Sequence, residues 1–524
     1  MPTTLFALLP VLGLSTWAAP LEFELAQSAR ATGFVYEDLN RNGRRDPGEP
    51  GIPDARVSNM RDIVRTDRNG RWSLPYDDNT IFFVVKPRGY MTPVNADQLP
   101  KFYYIHRPRG APDVRFGGVK PTGPLPASID FALYKRNEPN RFRALFFGDT
   151  QPRNLREVDY ITRNIVEPII GRTDAAFGVT LGDIVFDDLS VFEPLVKAIA
   201  LIGIPWYNVL GNHDINFDAR DDKGSVETWR RVFGPEYYSF DHGPTHFVVL
   251  DNVVWYREGD APDGRGRYKA GLGKEQMDWL RKDLDMTPKN QLVVLLMHIP
   301  MNDMEDKAEL FKLIEQRPYC LSVAAHTHYQ EHRFLGKEEG YQGKEPHHHV
   351  VNVTTSGSWW SGAPDALGVP HTTMRDGAPN GYSIFTFDGN QYSIEYRAAG
   401  RSASYQMNIY APEAVKVSDV TSTTVYVNVF GGSEKSKVEM RFGGAGEWLP
   451  MTKTLEQDPN YVKLFERDRQ LQAPYRALPQ PINSPHLWKL NLPRRVPRGV
   501  HPIHVRTTDM FGQVYVATRG IRVE

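Results

Sequence analysis

Five apolar segments of this chain each run directly into residue types that bind metals or phosphate. The segments RALFF, AAFGVT, IPWYNVL, LVVLL and CLSVA lead into GDTQ, LGDIVFD, GNHD, MHIP and AHTH. Apolar, β-branched-rich runs of this length, separated by amphipathic segments, are typical of buried parallel strands. In open α/β sheets, binding sites form just beyond the carboxyl ends of the strands. The five strand ends are therefore predicted to converge on one site.

The polar residues at these strand ends are carboxylates, amides and imidazoles. They are Asp149, Gln151, Asp183, Asn212, His213, His298, His326 and His328. Their ordered pattern, D-x-Q, G-D, G-N-H-D, H and H-x-H, resembles that of the calcineurin-like metallophosphoesterases over residues 143–389. Taken singly, each residue has a structural explanation, such as an aspartate that caps a helix or a histidine satisfied in the core. The whole set in this order favours a catalytic site.

The resemblance implies a site for two divalent metal ions. The first ion would be bound by Asp149, Gln151, Asp183 and His328. The second would be bound by Asp183, Asn212, His298 and His326, so that Asp183 bridges the pair. A hydroxide shared by the ions would attack phosphorus in line, and the ions would neutralise charge on the phosphoryl oxygens.

The resemblance also assigns catalytic roles to the two residues after Asn212. His213 would contact the phosphate and protonate the leaving oxygen, because an imidazole has its ordinary pKa near neutrality. Asp214 would orient His213 or a nearby backbone segment.

Gln151 departs from the commoner D-x-H form of the first motif. An amide oxygen is a harder and weaker ligand than imidazole, which disfavours zinc and favours manganese, with magnesium or iron as alternatives. A similar D-x-Q occurs in manganese-dependent relatives that split ADP-ribose and CDP-alcohols. The sequence therefore predicts two divalent ions with manganese preferred, and a weakly active site is the alternative interpretation.

Candidate substrate-binding residues lie near the metal motifs and in the segment PHHHVVNVTTSGSWWSGAPD. They are Arg153, His349, Trp359 and Trp360. The tryptophans are predicted either to form a hydrophobic wall for the leaving group or to pack in the core. Three adjacent histidines cannot all face one ion in an extended chain, because neighbouring side chains alternate.

A second metal pattern lies near the N-terminus. Residues 38–49 fit D-x-[DN]-x-[DN]-G-x5-E, with oxygen ligands predicted from Asp38, Asn40, Asn42, the Arg44 carbonyl, Asp46 and Glu49. The flanks do not predict a helix pair, and the region resembles the SdrD B-like modules of bacterial surface proteins, which bind calcium in this loop. A structural calcium site is predicted, and a polar turn without an ion is the alternative.

The chain of 524 residues is predicted to contain three folded domains after a leader. Residues 30–136 are predicted to form an SdrD B-like or Ig-like β-sandwich, from their short alternating runs. Residues 141–400 alternate strands and helices, which predicts an α/β domain. The resemblance implies that this is the catalytic domain and that it is of the four-layer αββα type. Residues 405–524 return to period-two alternation and are predicted to form a second β-sandwich.

Bulk properties restrict partners and location. The net charge of −1 argues against a nucleic-acid partner. Residues 1–18 contain a short apolar run followed by small residues, which predicts a signal peptide, although no basic residue precedes the run. No transmembrane segment is expected elsewhere. The protein is therefore predicted to be bacterial and exported, to the periplasm or the outside of the cell.

Together these features predict an exported metal-dependent phosphoesterase that hydrolyses a phosphodiester or phosphomonoester of a small molecule or lipid headgroup. Two other functions stay open at this point. One is a cell-surface binding protein with a degenerate phosphoesterase scaffold, which the complete ligand set argues against. The other is a nucleotide pyrophosphatase or nuclease.

Overall fold

The computed structural model describes residues 29–256, 266–444 and 446–524, together with residues 1 and 3. The signal peptide predicted for residues 1–18 lies, apart from those two residues, outside the described part of the chain. No helix in the described ranges is long and apolar enough to cross a membrane.

The N-terminal region folds into two four-stranded sheets, in the orders β4-β1-β8-β6 and β3-β2-β5-β7. Alternation along RWSLP points Trp72 and Leu74 into the core. The Trp72 ring of one sheet meets the Phe82 ring of the other at 5.4 Å, so the sheets pack face to face. The strands are β1 (Arg30–Glu37), β2 (Arg56–Ser58), β3 (Ile63–Arg65), β4 (Arg71–Pro75), β5 (Thr80–Val85), β6 (Tyr90–Met91), β7 (Tyr103–His106) and β8 (Phe131–Lys135).

Two larger sheets form the centre of the molecule. The first has the order β11-β10-β9-β20-β21, in which β9, β10 and β11 are parallel. Its strands are β9 (Arg141–Phe147), β10 (Phe177–Leu181), β11 (Trp206–Val209), β20 (Gly381–Asp388) and β21 (Gln391–Ala398). The second has the order β12-β13-β16-β17-β19-β18, in which β13, β16, β17 and β19 are parallel. Its strands are β12 (Tyr238–His242), β13 (Thr245–Val249), β16 (Leu292–Leu296), β17 (Cys320–Ala324), β18 (Glu331–Leu335) and β19 (His347–Val351).

The two central sheets pack on each other and carry helices on their outer faces. Phe247 of the second sheet contacts Phe177 and Phe387 of the first, at ring separations of 5.2 and 5.3 Å. Outside lie α1 (Leu155–Ile161), α2 (Glu167–Ile169), α3 (Phe192–Ala200), α4 (Asp222–Ser225), α5 (Glu227–Phe233), α6 (Gly273–Asp285) and α7 (Lys307–Ile314), with a hairpin of β14 (Val253–Tyr256) and β15 (Arg267–Ala270). The predicted αββα domain between two β-rich regions is confirmed.

The N-terminal region is joined to the centre by buried charges. The Lys86 ammonium lies 2.6 Å from the Glu138 carboxylate, and both side chains are almost fully buried. Arg56 and His246 both bind Asp283, at 3.1 and 2.7 Å. Lys86 and Arg56 also bind Asp241 of β12, at its carbonyl and its carboxylate, so these contacts hold the N-terminal sandwich against β12 and α6.

The C-terminal region is a second sandwich, with sheet orders β22-β24-β28-β27 and β23-β30-β29-β25-β26. It docks on the loop after β19, where His486 contacts Asp376 at 2.9 Å, and Asp468 accepts from the Ala363 N–H and contacts His371. Its elements are β22 (Met407–Tyr410), β23 (Ala414–Val415), β24 (Thr424–Val429), β25 (Lys437–Phe442), β26 (Leu449–Pro450), β27 (Thr452–Thr454), α8 (Pro459–Asp468), β28 (Leu487–Asn491), β29 (Gly499–Thr508) and β30 (Val514–Val523).

Candidate metal centre

The structure brings the polar strand ends of both central sheets together. Strands β9, β10 and β11 deliver residues from the first sheet, and β16 and β17 deliver residues from the second. Nε2 of His298 lies 3.1 Å from Oδ1 of Asn212 and 3.2 Å from Oδ1 of Asp183. Nδ1 of His326 lies 3.2 Å from the same Nε2. The candidate ligands of the two sheets therefore meet at the edge where these sheets face each other.

This arrangement of donors suits a cation. The ligand atoms of Asp183, His298 and His326 all lie within 4.8 Å of one another. Nδ1 of His298 donates to the Leu181 carbonyl at 2.8 Å, so in the neutral ring the lone pair of Nε2 is directed at the cluster. Nitrogen and oxygen donors of this kind suit a divalent metal.

A second group of donors adjoins the first. Nδ1 of His328 donates to the Gly357 carbonyl at 2.6 Å, and its Nε2 lies 3.7 Å from Oδ1 of Asp149. The Gln151 amide donates to Oδ2 of Asp183 at 2.8 Å, while Oε1 of Gln151 is buried and has no hydrogen-bond partner in the described residues. A buried amide oxygen without a partner is costly, and a metal ion would satisfy it. These residues fit a second ion that shares Asp183.

The backbone at the site is strained. Asp149, Gln151, Asp183, His326 and His328 all have φ between 35° and 70°, a region that side chains with a Cβ rarely adopt. Strain of this kind is concentrated at functional sites, where the surrounding packing holds it in place. The sharp turns aim successive ligand side chains at one point.

Two glycines of the motifs are required by close packing. A Cβ at Gly182 would lie 2.4 Å from the His298 ring, and one at Gly211 would lie 2.0 Å from the Asp183 nitrogen. The G-D and G-N-H-D motifs therefore place glycine where the ligands approach the backbone.

Buried carboxylates and imidazoles shift one another's ionisation. Burial raises the pKa of Asp149 to about 8, assisted by the charge of Asp183. Burial would lower the pKa of His298, but Asp183 and Asp149 raise it to about 9. Burial lowers the pKa of His328 to about 3, so its ring is neutral and able to act as a ligand.

His213 lies beside the cluster with a carboxylate partner that the sequence did not identify. Its ring stacks on Phe186 with centroids 4.5 Å apart, and its Nδ1 lies 2.6 Å from Oδ1 of Asp187. Burial lowers the pKa of His213, but Asp183 and Asp187 raise it above the ordinary value. Asp187 is the second acidic residue of LGDIVFD, and that position was its only sequence signal.

Asp214 contacts backbone N–H groups, the second of the two alternatives predicted for it. Its two oxygens accept the N–H groups of Ile184, Val185 and Gly211 at 2.9–3.1 Å. The side chain is fully buried, and burial raises its pKa to about 7. Asp214 therefore holds together the loops that carry Asp183 and Asn212, and it does not pair with the His213 ring.

Two of the candidate substrate residues prove to be core residues. His349 lies in β19, fully buried, with Nδ1 2.7 Å from Ser322 Oγ and Nε2 accepting the Met301 N–H. Trp360 is also buried and donates its indole N–H to the Thr150 carbonyl at 3.0 Å. The expectation that His349 binds substrate is wrong, because strand alternation turns its side chain inward. Trp360 takes the core position that was one of the two alternatives predicted for the tryptophans.

The other two candidates do border the site. The Trp359 ring stacks on the His328 ring with centroids 4.0 Å apart. The Arg153 guanidinium lies 4.0 Å from the centre of the Phe186 ring, whose plane also stacks on His213. Trp359 and Arg153 therefore form part of the rim around the metal ligands.

The predicted calcium loop is folded around its own acidic side chains. Oδ2 of Asp46 accepts from the amides of Asn40 and Asn42 at 2.8 and 2.7 Å. The Asp38 carboxylate accepts the Asn42 and Gly43 N–H groups. The Glu49 carboxylate accepts backbone N–H groups of the same loop. This brings most of the predicted side-chain ligands onto one turn, while the presence of calcium stays a prediction.

Comparison with protein-family models gives three matches along the chain. Residues 39–120 match the model described as the N terminal of Calcineurin-like phosphoesterase. Residues 142–330 match the Calcineurin-like phosphoesterase model itself, and this range includes all seven candidate ligands of the central metal site. Residues 349–515 match the C terminal of Calcineurin-like phosphoesterase, a model that begins within β19 and so includes the last catalytic strands. Comparison with curated proteins gives no match.

Solved structures give more distant likenesses. The purple acid phosphatase PPD1 from seeds of yellow lupin (Lupinus luteus) is 14% identical, with 66% of this chain and 67% of that chain covered and a TM-score of 0.34. The superoxide reductase (neelaredoxin) of Ignicoccus hospitalis is 16% identical, with 24% of this chain and 89% of that chain covered and a TM-score of 0.13.

Proposed function

We propose that this chain hydrolyses phosphoric esters with two divalent ions, manganese preferred, and that it does so outside the cytoplasm. The chain belongs to the calcineurin-like phosphoesterases, whose three models match it along most of its length. The observation that carries the proposal is the convergence of seven donor residues on one edge, with Asp183 between the two groups. The location outside the cytoplasm rests on the sequence of residues 1–18 alone.

The donor atoms at the site suit two divalent ions. Asp149, Gln151, Asp183 and His328 would hold one ion, and Asp183, Asn212, His298 and His326 would hold the other. Bound there, the ions would activate water and neutralise charge on the phosphoryl oxygens. The preference for manganese is supported by the amide oxygen of Gln151, which is a harder donor than imidazole.

The chain's own residues supply the proton and the orientation. His213 contacts the Asp187 carboxylate and stacks on the Phe186 ring. In this position it can donate a proton to the leaving oxygen of the ester. Its pKa is raised, so that the ring is protonated over a wider range than a free histidine. Asp214 keeps the backbone around Asp183 rigid.

We propose a class of substrates rather than one compound. The neutral overall charge supports a small phosphodiester, a phosphomonoester or a lipid headgroup over a long nucleic acid. A degenerate scaffold would have lost some of the donor residues, and all of them are present. The loop at residues 38–49 is proposed to bind calcium as a structural ion.

The first test is metal add-back. The full-length protein is stripped with a chelator and assayed on bis-p-nitrophenyl phosphate and p-nitrophenyl phosphate with manganese, magnesium, zinc or calcium restored. Recovery that is greatest with manganese supports the proposal, and the ratio of the two rates ranks diesterase against monoesterase. Turnover that is indifferent to the chelator would contradict the metal-dependent mechanism, and recovery with zinc alone would contradict the role given to Gln151.

A further inference from the structure

Two arginines from different domains meet at the rim of the metal centre. Arg153 follows the ligand Gln151, whereas Arg476 belongs to the C-terminal region between α8 and β28. Nη1 of Arg153 and Nη2 of Arg476 both donate to the Trp359 carbonyl, at 3.1 and 2.5 Å. The ring of that same Trp359 stacks on the metal-ligand candidate His328. The C-terminal region therefore contributes a cation beside the site.

The positive charge at this rim exceeds the negative charge that pairs with it. Glu157 is shared by the two arginines: its Oε1 lies 2.8 Å from Nη2 of Arg476, and its Oε2 lies 3.7 Å from Nη1 of Arg153. The other nearby carboxylate, that of Asp187, is engaged by His213. An anion bound between the two guanidinium groups would relieve their mutual repulsion.

Both arginines are accessible to a ligand. The side chain of Arg153 is 27% exposed and that of Arg476 is 42% exposed. In the described part of the chain, Nε and Nη1 of Arg476 have no hydrogen-bond partner, so donors of its fork are free. The Phe186 ring lies between the Arg153 guanidinium and the His213 ring and contacts both. A group bound there would lie next to the leaving-group side of the site.

We propose that Arg476 and Arg153 bind a second anionic phosphoryl group of the substrate, so that the C-terminal domain selects pyrophosphate diesters over diesters with a single phosphate. Planar guanidinium groups bind phosphoryl oxygens in a bidentate manner, and two of them match the two free oxygens of an internal phosphate. The inference rests on the proposed function and names the substrate class for the same site.

The reaction balances as a simple hydrolysis. The oxygen of one water molecule adds to the phosphorus at the metal centre, and the phosphoanhydride bond breaks. The second phosphoryl group, held by the arginines, leaves with the bridging oxygen. The products are two phosphate monoesters, and the protons of the water end on the products or in the solvent.

The test compares two substrates on the manganese-loaded full-length protein. Diadenosine diphosphate carries two phosphoryl groups, and bis-p-nitrophenyl phosphate carries one. Arg476→Gln is expected to lower kcat/KM for diadenosine diphosphate by about 10- to 100-fold, mainly through KM, because charge-assisted hydrogen bonds are lost. The loss is expected to exceed that for bis-p-nitrophenyl phosphate about tenfold. Guanidinium chloride at millimolar concentration should restore part of the lost rate.

Arg469→Gln is the matched control. Arg469 lies in the same segment, is 62% exposed and pairs only with Glu466 among the described residues. Its removal should leave the ratio of the two kcat/KM values unaltered. An equal loss on both substrates in Arg476→Gln would mean that Arg476 merely holds the Trp359 loop, and no loss would mean that it does not bind substrate. Either result overturns the inference, whereas a wild-type protein inactive on both probes with manganese would contradict the proposed function itself.

Discussion

Gln151 offers the sharpest test of the metal centre, through the substitution Gln151→Ala. The side chain is 1% exposed, its Oε1 lacks a partner in the described residues, and its amide donates to Asp183 at 2.8 Å. Alanine keeps the Cβ, so the strained backbone is unchanged while the oxygen donor and the contact to Asp183 are lost. Interactions of this kind with charged groups are worth about 1.5–3 kcal/mol. That energy corresponds to roughly a 10- to 100-fold weaker affinity for manganese.

The assay is a titration of the metal-stripped protein with manganese, followed by calorimetry and by recovered turnover. Gln406→Ala serves as the control, because Gln406 is a buried glutamine whose amide donates to the Tyr396 and Ala403 carbonyls at 2.8 Å each, and neither of these residues is a candidate metal ligand. Gln151→His should restore affinity and shift the preference from manganese toward zinc. Manganese affinity in Gln151→Ala within twofold of wild type would refute the assignment of Oε1 as a ligand. Equal weakening in Gln406→Ala would trace the effect to general destabilisation.

Three further substitutions test the acid and the buried charges. His213→Gln should lower kcat by roughly 10²–10⁴-fold for an alkyl ester, and much less for a nitrophenyl ester, because a good leaving group needs little protonation. Equal losses on the two esters would contradict the role of His213 as the general acid. Lys86→Met should lower the free energy of unfolding by about 3–5 kcal/mol, measured with denaturant, since the buried Glu138 carboxylate would lose the ammonium that compensates its charge; adding Glu138→Gln should recover part of the loss. The pKa of His246 is lowered by burial but raised above its ordinary value by Asp283, so its stabilisation is complete below about pH 6.5 and is lost as the pH rises through the folded pKa. The difference in Tm between wild type and His246→Gln should therefore shrink on raising the pH, and a constant difference would count against the pair.

Much of the catalytic site could be predicted from the sequence. The candidate ligands Asp149, Asp183, Asn212, His298 and His326 each follow a short apolar run, and the parallel strands of one sheet end at a common edge. The site therefore appears in the sequence as a local pattern that is repeated at each strand end. The α/β centre and the β-rich flanks could be predicted for the same reason, since periodicity is a local property of a sequence.

The tertiary structure decided the partners of these residues, because contacts between distant segments leave no local signal. It paired His213 with Asp187 and turned Asp214 to backbone N–H groups. It placed His349 in the core, because the register of β19 against its neighbours, set by the sheet as a whole, fixes which face each side chain takes. It also brought Arg476 to the rim of a site more than a hundred residues away in sequence, since only the docking of the third domain makes that approach. The sequence by itself determined which chemistry the strand ends can perform, and the packing of domains determined what surrounds that chemistry.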